Sequence, residues 1–136
     1  MNTKRFISAS ILVFLSFQFL DGIIHNFLLS SAYEASNNVW RPDMMEKIWI
    51  VFSTSFIFSF LFVYIFIKGY EGKGVKEGIR YGILIGLLMN IGGMFNQYAV
   101  YPIPFSLAMQ WFVYGTFEIV VCGIVASLIY KNNKAL

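Results

Sequence analysis

A chain of 136 residues that is 58% hydrophobic and only 12% charged carries more apolar surface than one water-soluble core of that size can hide. Mean hydropathy is +0.68, and the formal net charge of +3 comes from basic residues gathered between apolar stretches, a pattern of membrane orientation rather than of nucleic-acid binding. The single cysteine, Cys122, excludes an intrachain disulfide and a cysteine-based zinc site, and reads as a small packing residue.

A bilayer core of ~30 Å takes about 20 residues of helix to cross. The sequence predicts helices near 6–30, 46–68, 78–101 and 105–130, giving an all-α four-transmembrane-helix bundle in one domain, 1–136. Backbone polar groups in lipid must be satisfied within each segment, which requires helices or a closed barrel. Runs such as 51–67 are apolar on both faces and lack the alternation of barrel strands.

The first span follows Lys4-Arg5. With Ser30-Ser31-Ala32 behind it, it has the outline of a signal peptide. The run is too long for one, however, and Asp21 and His25 interrupt it, so a retained helix is expected. In the connection 31–47, Pro42 disfavours helix at Arg41, and Asp43 is expected to cap a helix starting near Met44. Trp40 and Trp49 suit an interfacial belt. After the second span, Gly69-Tyr70-Glu71-Gly72-Lys73-Gly74 predicts a flexible charged turn. It is not a phosphate loop, because no Gly-Lys-Ser/Thr follows and no strand precedes it.

The third span carries Gly78, Gly82, Gly86, Asn90, Gly93 and Gln97 at spacings of three or four, one face of a helix. Small residues so repeated admit a neighbouring backbone, and packing inside the bundle is preferred over the alternative, a homodimer through Gly78, Gly82 and Gly86. Pro102 and Pro104 end that helix in a tight turn, and the fourth span runs to Tyr130-Lys131.

Lys4, Arg5, Lys68, Lys73, Lys76, Arg80, Lys131 and Lys134 fall on one side, eight charges against Arg41 and Lys47 on the other. The positive-inside rule then predicts cytoplasmic termini. The two halves also share Gly-x-x-x-Asn (Gly22 to Asn26, Gly92 to Asn96) and a Trp-led string (Trp49 to Thr54, Trp111 to Thr116), the pattern expected of two parallel helical-hairpin repeats.

The strings Trp40-Arg41-Pro42, Tyr70-Glu71-Gly72-Lys73-Gly74 with Glu77-Gly78-Ile79-Arg80-Tyr81-Gly82, and Gln97-Tyr98-Ala99-Val100-Tyr101-Pro102-Ile103-Pro104 carry a resemblance. Over its whole length the chain resembles an uncharacterised group of small bacterial four-span integral membrane proteins with no assigned activity. The resemblance implies this topology and a bacterial inner membrane, and carries over no functional residue.

Ionisable groups inside spans are costly, and three stand out: Asp21 and His25 in the first span and Glu118 in the fourth. Gln18, Asp21 and His25 form one stripe; Asn90 and Gln97 share a face of the third helix; Trp111, Tyr114 and Cys122 neighbour Glu118. If the stripes converge, they line an outward-opening polar pocket in which carboxylates bind a small polar or cationic solute or a proton, with transport as its extension. The plainer reading is a hydrogen-bonded network that glues helices together, and for the amides alone it is the better one.

No metal or cofactor is expected: one His with two carboxylates is a weak ligand set, a lone His near the interface is a poor haem signal, and the methionines are ordinary filler. Rival functions are an accessory subunit working through helix contacts, and a membrane enzyme using the carboxylates on a lipid or quinone-like substrate, although no catalytic motif points to a reaction.

Overall fold

The computed structural model describes residues 1–131, so Lys134 lies outside the described residues. Its regular structure is all-α, and four helices are long and apolar enough to cross a bilayer: Thr3–Leu28, Met44–Lys68, Val75–Val100 and Phe105–Ile129. The chain is a four-helix bundle of the multi-pass membrane class. Large apolar side chains such as Phe19, Phe27 and Leu88 point outward, 68%, 76% and 76% exposed, as lipid permits and water does not.

Helix α1 (Thr3–Ile23) starts where the Asn2 side chain accepts the Arg5 N–H at 3.1 Å. Past Ile23 the ladder widens into a π-helical turn, Ile24–Leu28, followed by the short helix α2 (Ser30–Ala35). The connection read as 31–47 therefore holds structure of its own, including tight turns at Asn37–Val39 and Met44–Lys47. Asp43 does not cap the helix that follows. Instead it pairs with Arg41 and Lys47, each at 2.7 Å. The Lys47 ammonium first, then the Arg41 guanidinium, hold its carboxyl below the usual carboxylate range.

Helix α3 (Ile48–Lys68) leads into the charged turn, which is pinned rather than flexible. The Glu77 carboxylate accepts the N–H groups of Glu71 and Lys73, at 2.6 and 2.8 Å, and is buried in doing so. Gly72 and Gly74 take φ of 78° and 64°, which lets the chain fold back over that carboxylate. Glu71 meets Lys73 and Arg80, which hold its carboxyl below the usual range, Lys73 chiefly.

Helices α4 (Val75–Val100) and α5 (Phe105–Ile129) form the tightest pair. A Cβ on Gly78 would collide with the Gly123 carbonyl, and one on Gly82 would lie 2.5 Å from Val120 Cα. The glycine stripe is thus spent inside the chain, against α5. Beyond Asn90 the contact changes character. Phe95 meets Phe105 and Phe112, and Tyr98 meets Phe105, with ring centroids 5.3 to 6.1 Å apart. Rings hold helix axes further apart than glycines do.

Helix α1 packs along both α3 and α5, and α5 packs along α4. The order is an arc, α3–α1–α5–α4. Its ends are joined near the Lys68–Val75 connection, where the Tyr81 hydroxyl donates to the Phe62 carbonyl at 2.6 Å and its ring packs on Phe62 and Phe66. Two parallel repeats related by a twofold would pack α3 on α4 as closely as α1 on α5, so the two hairpins are not packed equivalently.

The core has two clusters. One surrounds Val13, Phe62, Phe66, Cys122 and Tyr130 at the basic end; the other surrounds Ile24, Leu29, Ile103 and Leu107 at the opposite end.

Candidate functional site

Between those clusters lies a cavity of about 470 Å³. Helix α1 and its π turn contribute Phe17, Asp21, Ile24 and His25. Thr54, Ser55 and Phe58 come from α3, Met89, Asn90, Met94 and Gln97 from α4, and Trp111, Tyr114, Gly115, Glu118 and Ile119 from α5. Six of the seven residues singled out in the sequence meet there: Asp21, His25, Asn90, Gln97, Trp111 and Glu118. Gln18 does not. A three-residue step turns about 300°, leaving it about 60° off the Asp21 direction, and its buried Oε1 has no hydrogen-bond partner within the described protein.

The walls are mostly apolar, which makes the carboxylates conspicuous. Glu118 is 4% exposed, and its Oε1 is fully buried without a donor from the protein. Asn90 donates to the Thr116 hydroxyl at 3.3 Å across the α4–α5 contact. Its amide lies over Gly115, where a Cβ would come within 3.2 Å of both amide heteroatoms. Ser55 and Thr54 return their hydroxyl protons to carbonyls of their own helix, at 2.7 and 2.9 Å. Asn90 and these hydroxyls are already partnered, whereas Glu118 Oε1 is not.

A polar relay leads from the cavity to the loop end. His25 Nε2 lies 3.1 Å from Asp21 Oδ1, and His25 Nδ1 meets the Tyr33 hydroxyl, which also receives the Trp111 indole N–H at 2.8 Å. One assignment satisfies every group: Trp111 donates to Tyr33, Tyr33 donates to Nδ1, and Nε2–H donates to Asp21. Burial pushes the Tyr33 phenol up to about 12, the Asp21 charge adding and the Trp111 hydrogen bond opposing, so it is present as an O–H donor. Trp40 donates to the Tyr33 carbonyl at 3.3 Å, and its ring packs on Tyr33 and Trp111.

Trp40 therefore folds over the site and is half-buried there, whereas Trp49 stays 63% exposed. Sequence reading missed Tyr33 and the closing role of Trp40. Both belong to the connection between spans, and no periodicity ties them to His25. It also gave Met89 and Met94 no place beside the polar residues, although both line the cavity. Among the described residues no group of three His, Cys, Asp or Glu is placed to hold a metal ion.

Fold and site together define a multi-pass helical membrane protein with a carboxylate-bearing cavity inside its bundle. No family model, curated protein or solved structure matches the chain.

Proposed function

We propose that the protein binds a small cationic or polar solute within the membrane, with the Glu118 and Asp21 carboxylates as its acceptors and transport as the extension of that binding. The observation that carries this reading is Glu118 Oε1, buried in the wall of a cavity with no donor of its own. A carboxyl held in lipid without a partner is costly, and a bound cation or proton relieves that cost. The resemblance of the sequence to small bacterial four-span proteins supports a bacterial inner membrane, and the basic asymmetry supports cytoplasmic termini, so that the cavity end carrying Trp40 faces outward. The accessory-subunit reading draws less support, because α5 of the same chain covers Gly78, Gly82 and Gly86.

The test compares wild type with Glu118→Gln and Asp21→Asn, by thermal unfolding of purified protein and by uptake of protons or methylammonium into liposomes. Amides keep most hydrogen bonds of a protonated carboxyl and lose the charge. The expected outcome is a preserved fold with binding or flux reduced by about thirtyfold or more. Unchanged uptake in both variants would sink the reading. Unfolding of both would make the carboxyls structural.

A further inference from the structure

Resting on that reading, we infer that the cavity is loaded sideways from the bilayer, through the seam between α3 and α4, and that its ligand is a lipophilic amine. Three observations carry this.

The first is where the bundle is open. Helices α3 and α4 are the two ends of the arc, joined through Tyr81 near the basic end. Toward the other end, Thr54 on α3 and Met89 and Gln97 on α4 line the cavity and are exposed. Thr54 and Met89 form its rim within the apolar spans, where the surroundings are acyl chains, and Gln97 marks the rim towards the loop end.

The second is what closes the opposite approach. A separate recess of about 330 Å³ at the loop end is lined by Trp40, Arg41, Met44 and Tyr101, among others, and shares Trp111 and Gln97 with the cavity. Trp111 stands between the two spaces, held there by its hydrogen bond to Tyr33 and by the Trp40 ring.

The third is the chemistry of the walls. Phe58, Met89 and Met94 offer apolar surface of the flexible, adaptable kind, and Glu118 supplies one buried acceptor without a donor. A ligand complementary to that arrangement has a single N–H-donating head and an apolar body. The head meets Glu118, and the body lies along α3 and α4 out to the rim. Such a molecule already partitions into the bilayer, so the lateral seam is the direct route in.

The experiment uses the full chain in phosphatidylcholine nanodiscs with two probes that share a head: dodecylamine and methylammonium. Empty nanodiscs give the partitioning baseline. Dodecylamine should bind above that baseline, about a hundredfold more tightly than methylammonium, and Glu118→Gln should weaken it by about thirtyfold or more. Thr54→Trp or Met89→Trp, each narrowing the seam from one side, should slow dodecylamine association by about tenfold relative to methylammonium.

Equal affinity for the two amines, both dependent on Glu118, would overturn the lateral inference and leave the cation-binding reading standing. Amine binding indifferent to Glu118→Gln would overturn both. Should Glu118→Gln fail to fold, the rim variants decide. Dodecylamine association unchanged in both of them would refute entry through the seam.

Discussion

Tyr33 sits where two tryptophans and one histidine meet, and its hydroxyl is the only group placed to accept from Trp111 while donating to His25 among the described contacts. Removing that oxygen strands an indole N–H and a ring nitrogen. Tyr33→Phe should therefore cost about 1 kcal/mol, the low end for a lost buried partner because the His25 side chain is 42% exposed. The measure is thermal unfolding in detergent, accompanied by a shift in tryptophan emission as Trp111 loses its partner. The same hydroxyl gives a pH dependence. An unfolded chain ionises the phenol near 10.0, whereas the folded one holds its proton to about 12. Its contribution is thus intact below pH 10 and is lost as pH rises through that interval. Wild type should lose stability there more steeply than Tyr33→Phe, and parallel curves would show that the phenol is not buried as described.

At the scale of elements, residue size decides how the helices sit. Glycine against glycine brings α4 and α5 into backbone contact near the basic end, and phenylalanines hold them apart near the other. Gly78→Ala should then destabilise by about 1–3 kcal/mol, since its Cβ would meet a carbonyl that belongs to a helix backbone. Gly93, on the same helix, has nothing within 4 Å of where an added methyl group would sit, and Gly93→Ala should be neutral or slightly stabilising. Equilibrium unfolding in mixed micelles distinguishes them; equal effects would mean that α4 and α5 do not approach as closely as this. The π-helical turn at Ile24–Leu28 belongs to the same scale. It ends α1 beside the site and lets α2 bring Tyr33 back to His25.

For the molecule as a whole, lipid replaces water as the solvent, and orientation becomes a question of charge. Cysteine labelling on a Cys122→Ala background tests it. The thiol of Lys73→Cys should be shielded from an impermeant maleimide applied to intact cells, and that of Asn37→Cys should react. Labelling of Lys73→Cys from outside would reverse the orientation and with it the outward position of the Trp40 end.

The sequence alone determined the four spans, because a helix that crosses lipid needs length and apolar composition and both are local properties. It also singled out Asp21, His25 and Glu118, because an ionisable group in a span is conspicuous wherever the span turns. The tertiary structure decided which faces look inward. Helices such as α5 are apolar all round, with little amphipathic asymmetry to separate a lipid-facing side from a packed one. Rotation was therefore open: Gln18 turned away from the cavity while Met89 and Met94 turned towards it. The Tyr33–Trp111 contact was beyond local reading for a different reason. Tyr33 and Trp111 are 78 residues apart, and only the fold joins an indole N–H on α5 to a phenol on α2 beside the cavity.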